Sequence, residues 1–340
     1  MKKKLILITW WTWYIGSHAV VSFYEAGYEV VIVDNLVNSS EDSLDNIEKI
    51  IWIKPKFHNI DLRDKKSMED LFKEYDFHGV IHFAWLKAVW ESCEKPMLYY
   101  DNNIGGSLVL FELMEKYEVK NIIFSSSATV YSSKNTSPLD EQWELDSINP
   151  YGYTKLIIEY MLKWLAENKW FNVVLLRYFN PIWAHSSGYI WEKPDGIPNN
   201  LLPYIMDVAS AKREYINIFW NDYDTIDGTG VRDYIHVVDL VEGHLKAYNL
   251  IIKQELWIND WFWDVFNLGT GKGTSVLDMI KTTEKVTERP VPYQVVDRRK
   301  WDLAEVYCNP SKAREVLGWE AKLSVEDWIR DSWKFNGIYK

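Results

Sequence analysis

Residues 4–34 decide the fold: Lys4-Leu-Ile-Leu-Ile-Thr9, then Trp10-Trp-Thr-Trp-Tyr-Ile-Gly16, a stretch closed by Gly27, and Tyr28-Glu-Val-Val-Ile-Val-Asp34. The first and last pieces are unbroken apolar runs. Strands buried on both faces of a parallel sheet read this way. Between them the pattern predicts a helix over 15–26, stopped at Gly27. The unit is strand, turn, helix, strand.

The same unit recurs outward from it. Strands are predicted near 57–60, 79–83, 121–125 and 172–177, and helices near 67–75, 96–117 and 150–167. This alternation indicates an α/β fold, a doubly wound parallel sheet of Rossmann type. Beyond Asn180 the texture changes, with Pro181, Gly188, Pro194, Gly196 and Pro198 close together. Later elements are short and mixed: helices near 201–212, from 236, near 275–287 and 310–317, and strands at 215–219 and 265–268. We expect a nucleotide-binding domain over 1–180 and a smaller mixed α/β substrate lobe over 181–340, interleaved with the first.

Composition narrows the function. The 340 residues carry 38 Lys+Arg against 49 Asp+Glu, a net charge of −11. An acidic chain argues against nucleic-acid and anionic-membrane partners. The longest apolar runs are too short for a membrane span or a signal segment. Two cysteines, Cys93 and Cys308, make neither a disulfide framework nor a thiolate metal site. A cytoplasmic protein with a small-molecule substrate and no metal is expected.

The first turn stands where a dinucleotide pyrophosphate meets a helix N-terminus. Such turns need glycines, and only Gly16 is present. Asp34 ends the second strand, where a carboxylate accepts both hydroxyls of an adenosine ribose and repels a 2′-phosphate, favouring NAD over NADP. Further on, Tyr151-Gly-Tyr-Thr-Lys155 places a phenol and an ammonium on one helical face. A nearby cation favours phenolate, so Tyr151 is a candidate general base. Ser125-Ser-Ser-Ala-Thr129 supplies hydroxyls at a strand end, on the sheet edge where ligands bind.

Seven segments carry a resemblance over nearly the whole chain: 82–92, 99–103, 125–131, 150–155, 177–181, 196–200 and 227–236. The chain resembles the extended short-chain dehydrogenase/reductase family and, within it, the UDP-glucose 4-epimerase group. Sugar-nucleotide 4,6-dehydratases differ in carrying an Asp-Glu pair where Val130-Tyr131 follows Thr129. The resemblance implies Tyr151 as catalytic base, Lys155 as its partner and Ser127 as a hydrogen-bond donor to the reacting oxygen. It assigns Tyr14, Ile15, Gly16, Asp34, Asn35, Asn38, Ser39, Asp61, Leu62, Phe83, Lys87, Asn102 and Phe179 to NAD. It assigns Asn180, Asn199, Asn200, Leu201, Asn217, Phe219, Arg232, Arg299 and Asp302 to a UDP-hexose. Val306 falls beside the sugar's C2 substituent, where a small residue admits an acetamido group. A homodimer through the helices near 96–117 and 150–167 is implied as well. Alternatives are an epimerase of N-acetylated UDP-sugars or of a uronic acid, or a non-catalytic nucleotide-sugar-binding protein.

One departure is systematic. The chain holds 19 Trp and 16 Gly, and the Gly count falls below the usual ~7%. Trp10, Trp11, Trp13, Trp85, Trp90, Trp183, Trp191, Trp220 and Trp301 stand where the family carries Gly, and Trp52, Trp170, Trp257, Trp261 and Trp263 fit the same pattern. Trp319 reads as a genuine family Trp. Indoles that bury ~150–250 Å² each do not suit a turn where pyrophosphate touches backbone. UGA is one base from the glycine codon GGA. A gene whose UGA codons mean glycine, translated with UGA as tryptophan, yields this sequence.

Overall fold

The computed structural model describes residues 3–9, 14–37, 42–83, 86–182, 185, 187–190, 200–257, 261–298 and 302–338. The apolar runs become β1 (Leu5–Thr9) and β2 (Glu29–Asp34), joined through α1 (Tyr14–Glu25). β3 (Lys56–Asn59), β4 (Gly79–His82), β5 (Asn121–Ser127) and β6 (Asn172–Tyr178) follow. Beyond them come β7 (Asn180–Ile182), β8 (Ile216–Phe219), β9 (Val231–Arg232), β10 (Tyr234–His236), β11 (Phe262–Leu268), β12 (Thr274–Ser275), β13 (Tyr293–Val296) and β14 (Glu305–Val306). Seven strands form one sheet in the order β3-β2-β1-β4-β5-β6-β11. Every neighbouring pair in it is parallel. Strands β1 to β6 therefore lie in the Rossmann order, which reverses between β1 and β4.

Burial explains the apolar runs. Ile6, Leu7, Ile8, Val31, Ile32, Val80, Ile81, Ile122, Ile123, Val173 and Val174 are fully buried in one core. Helices cover both faces of the sheet: α2 (Asp42–Ile51), α3 (Lys65–Glu74), α4 (Val89–Glu94), α5 (Pro96–Tyr99), α6 (Gly106–Lys116), α7 (Pro150–Lys169) and α9 (Val237–Trp257), with α8 (Leu201–Ala209) in the lobe. α2 and α4 add to the elements predicted from sequence. A second, smaller core joins α8, α10 (Val276–Thr287), α11 (Val325–Ile338) and β8 around Leu202, Ile205, Ile218, Met279 and Trp328.

The single helix expected over 96–117 is instead α5, a π-helical turn at Tyr100–Gly105, and α6. The wider turn buries Asn102 and Asn103. Asn103 then ties to Leu86 and to Thr154 Oγ1 of α7 at 3.1 Å. Such π turns recur at functional sites.

Among the described residues, three tryptophans have left-handed backbone: Trp52 at φ 60°, Trp170 at 60° and Trp220 at 75°. Leu36, Glu118, Ala211 and Glu288 share the conformation. Trp170 caps α7, and the Trp52 N–H closes α2 on Glu48 O at 2.8 Å. Their side chains are 61% and 86% exposed. Trp319 behaves differently: it is buried, and its Nε1 donates to Asp239 O at 2.8 Å.

Candidate active site

The carboxyl ends of β1, β4, β5 and β6 share one edge of the sheet, beside the point where strand order reverses. A cavity of about 590 Å³ opens there. Ile15 and Gly16 from the start of α1 line it, with Phe83, Lys87, Ser125, Ser126, Ser127, Tyr151 and Phe179. Asn180 and the lobe residues Asn200, Leu201, Asn217, Phe219, Arg232 and Asp302 close it. This volume suits a ligand of drug or nucleotide size.

Tyr151 is placed by the start of α7. Asn149 caps the helix, its side chain accepting from Gly152 N at 2.8 Å, and Pro150 takes the first turn. The Tyr151 N–H donates to Ser92 Oγ at 3.1 Å. Gly152 is required by close approach, since a Cβ there would stand 2.0 Å from Ser147 Oγ and 2.7 Å from Thr129 O. The Tyr151 phenol hydrogen-bonds to Ser127. Ser127 Oγ also accepts from Thr129 N at 3.2 Å and Thr129 Oγ1 at 3.0 Å.

Lys155 is fully buried, one turn along the same face. Its Nζ donates to Ser125 O and stands 5.9 Å from the Tyr151 ring centre and 4.8 Å from that of Phe124. Burial pushes the ammonium down to about 7. Burial also pushes the phenol up to about 12, against the pull of Ser127. The expectation of a lowered Tyr151 is thus corrected for the protein alone: desolvation of the phenolate outweighs the hydrogen bond with Ser127.

A second, small cavity lies between the ends of β2 and β3, lined by Asp34, Asn35, Asp61, Leu62 and Asn102. Asp34 is buried at the end of β2 and accepts from Leu36 N at 2.7 Å. Asp61 receives Asn35 Nδ2 at 3.0 Å, and hydrogen bonds from Arg63 hold its carboxyl down to about 2. Asn102 Oδ1, buried on the π turn, has no hydrogen-bond partner. Two carboxylates and an orphaned acceptor suit a ligand that brings donors, such as ribose hydroxyls and an adenine amine. They oppose a 2′-phosphate. With the N-terminus of α1 on the large cavity, these residues fit NAD.

On the lobe side, Arg232 donates to Asp302 Oδ1 at 2.5 Å and to Val231 O at 2.8 Å. Asp302 thereby holds the guanidinium on the cavity wall. Asn217 accepts from Gln294 Nε2 at 2.8 Å. Val306 pairs in register with Arg232. It packs against the cluster of Val130, Leu156, Phe179 and Cys308 and is not among the residues lining the cavity. Asn38, Ser39, Asn199, Arg299, the Tyr14 side chain, and Trp10, Trp11, Trp13, Trp85, Trp183, Trp191 and Trp301 lie outside the described residues. Tyr178, Tyr204, Tyr234 and Val276 also line the cavity, although sequence reasoning did not place them there. For Tyr178 a signal existed: it ends β6 on the same sheet edge as Ser127. No group of metal-ligating side chains occurs among the described residues.

Comparison with known proteins agrees with this geometry. A family model described as GDP-mannose 4,6 dehydratase matches residues 7–332. The UDP-glucose 4-epimerase of Bacillus subtilis (strain 168) is 50% identical over 332 residues, covering 97% of this chain and 96% of that protein. The chain belongs to the UDP-glucose 4-epimerase family. A crystal structure of the family's member from Stenotrophomonas maltophila, with NAD and formylated UDP-arabinopyranose, superposes with a TM-score of 0.94 at 41% identity, covering 98% of both chains. That of Bifidobacterium longum, in complex with NAD+ and UDP, gives 0.91 at 43%, covering 99% of both. Val130 is buried, and Tyr131 Oη donates to Asn267 Oδ1 at 2.7 Å.

Proposed function

We propose that the chain interconverts UDP-galactose and UDP-glucose at the sugar's C4, with NAD retained throughout. The observation that carries this reading is a single cavity in which Tyr151 and Ser127 stand between the start of α1 and the wall formed by Asn180, Arg232 and Asp302. The epimerases solved with NAD and with UDP support the two ligands. Bound NAD supplies a hydride acceptor that later serves as donor, so there is no net redox change. Ile15, Gly16, Asp34, Asn35, Asn38, Ser39, Asp61, Leu62, Asn102, Phe83, Lys87, Lys155 and Phe179 would hold it. Tyr151 takes the proton of the 4-hydroxyl, and Ser127 hydrogen-bonds the same oxygen. The 4-keto sugar turns within the cavity, and Tyr151 returns the proton. Asn180, Asn199, Asn200, Leu201, Asn217 and Phe219 orient the nucleotide and sugar, while Arg232 and Arg299 meet the diphosphate. Tyr151→Phe should cut turnover by about 10²–10⁴-fold with NAD still bound. Near-parental epimerisation would refute the assigned base.

Val306 is proposed to set the space beside C2; it does not line the cavity itself, and it would act through Phe179, which lines the cavity and packs in the same cluster. Val306→Tyr should lower the UDP-GalNAc to UDP-Gal turnover ratio by about tenfold or more, and an unchanged ratio removes Val306 from specificity. The division at residue 180 is a proposal too, with β11 and α9 returning to the first core. A cytoplasmic location suits the two unpaired cysteines, Cys93 and Cys308. A homodimer is supported by α7, which exposes Tyr153, Ile157, Tyr160 and Trp164 along one face, beside Met97, Leu98 and Leu108.

A further inference from the structure

Tyr151, Lys155 and Glu159 recur at four-residue spacing, so one face of α7 carries all three. The first two have roles in the reading above. Glu159 has none, yet it is buried and heavily engaged. Its Oε1 accepts from Ser126 Oγ on β5 and from Arg177 Nε on β6 at 3.0 Å. Its Oε2 accepts from Arg177 Nη2 at 2.7 Å. Both side chains of this ion pair are 4% exposed. Arg177 is held in turn by Tyr131 Oη and Glu141 O, each at 3.1 Å. Ser126 lies between Ser125, whose carbonyl receives Lys155, and Ser127, which meets the Tyr151 phenol.

We propose that Glu159 is a positioning residue of the active site: its carboxylate, shared between Ser126 and Arg177, locks the face of α7 bearing Lys155 and Tyr151 to the 125–127 segment. The proposal rests on the reading of Tyr151 and Lys155 given above. A surface ion pair would hold nothing in register. A fully buried, bidentate one is far less tolerant of displacement. The charge matters as well as the shape. The groups facing Lys155 are Tyr151 and Glu159 on α7, His82 on β4, and the Phe124 ring and Ser125 carbonyl on β5. Tyr178 of β6 stands beyond, hydrogen-bonded to Ser125. Burial keeps His82 neutral. Glu159 is then the anion that favours the Lys155 ammonium, against the burial that disfavours it.

The test is the pH profile of kcat in the NAD-loaded enzyme, with KM for UDP-galactose measured alongside. Glu159→Gln should lower kcat by about tenfold with KM unchanged, because the residue touches no substrate. Its alkaline limb should move down by about one pH unit, because Lys155 loses its proton earlier. Glu159→Asp keeps the charge but draws the carboxylate back, so the limb should return to the parental pH while kcat stays low. If Glu159→Gln does not fold around an unpaired guanidinium, Glu159→Gln/Arg177→Met removes that charge and is read by kcat against KM alone, since loss of both charges leaves little net change in the field at Lys155; a parental kcat then overturns the proposal. A folded variant with parental kcat and a parental alkaline limb overturns the proposal. A parent protein without epimerase activity overturns the function instead. In that case the Lys155 carbon-13 titration, compared between parent and Glu159→Gln, still decides: an unmoved midpoint sinks the positioning role.

Discussion

A tryptophan in left-handed backbone carries a Cβ where the conformation penalises one. The cost is roughly 1–2 kcal/mol, and Gly escapes it. Trp52, Trp170 and Trp220 sit there, while the indoles of Trp319 and Trp328 are buried in the two cores. The two groups differ in what the backbone asks of the residue. If UGA means glycine in this gene, codons 52, 170 and 220 should be UGA, and codons 319 and 328 should be UGG; the reverse assignment ends that explanation. Stability offers an independent check. Trp170→Gly should stabilise the chain by about 1 kcal/mol, whereas Trp319→Gly should destabilise it by about 3–5 kcal/mol or more. Urea unfolding of both variants measures the difference, and a loss of stability at Trp170→Gly would count against a glycine site. The same scale shows what sequence could say of the site. Spacing put Tyr151 and Lys155 on one face, but the ionisation of each depends on burial, which spacing does not report.

At the scale of the element, α7 does two jobs with two faces. Tyr151, Lys155 and Glu159 face inward to β5 and β6. Tyr153, Ile157, Tyr160 and Trp164 follow the same period outward and remain exposed. An exposed apolar stripe beside Met97, Leu98 and Leu108 costs little if a second copy covers it. Ile157→Glu with Tyr160→Glu should therefore shift the sedimenting species from dimer to monomer, with far-ultraviolet circular dichroism unchanged. A parental protein that sediments as a monomer at micromolar concentration would sink the interface. Strands β1, β2 and β4 to β6 were legible in the sequence because burial on both faces leaves an apolar run, whereas β3 (Lys56-Phe-His-Asn59) at the sheet edge is half-exposed and carries no such run. The π turn at 100–105 was not. Its wider hydrogen bonding depends on Asn103 reaching Leu86 and Thr154, contacts remote in sequence. The lobe was legible only in outline, because strands of two or three residues, such as β9 and β14, carry no periodic pattern.

Across the whole molecule, burial of bases governs how stability answers pH. Burial pushes His82 down to about 3, and His236 and His244 down to about 4. Each takes a proton in the unfolded chain near pH 6.5 and refuses it when folded. The unfolded state thus binds more protons below pH 6.5, and stability falls as pH falls through that window. Lys155, pushed down to about 7, acts with the same sign higher up: stability rises from about pH 7 toward 10 as the unfolded lysine also loses its proton. Tyr151, pushed up to about 12, reverses the trend above pH 10, where the unfolded phenol ionises first. In the acid range Glu141, Asp233 and Asp239 oppose the histidines, since burial raises their carboxyls and the folded state takes their protons readily. A single substitution isolates one histidine from these opposing groups. His244 is held between Tyr178 Oη and Leu240 O, and Gln can offer similar polar atoms there. His244→Gln should reduce the slope of unfolding free energy against pH by about 1.4 kcal/mol per unit between pH 6 and 4.5. Urea titrations of parent and variant across that range give the slopes directly. Equal slopes would mean that His244 is protonated in the folded protein, and the acid sensitivity would then need another source.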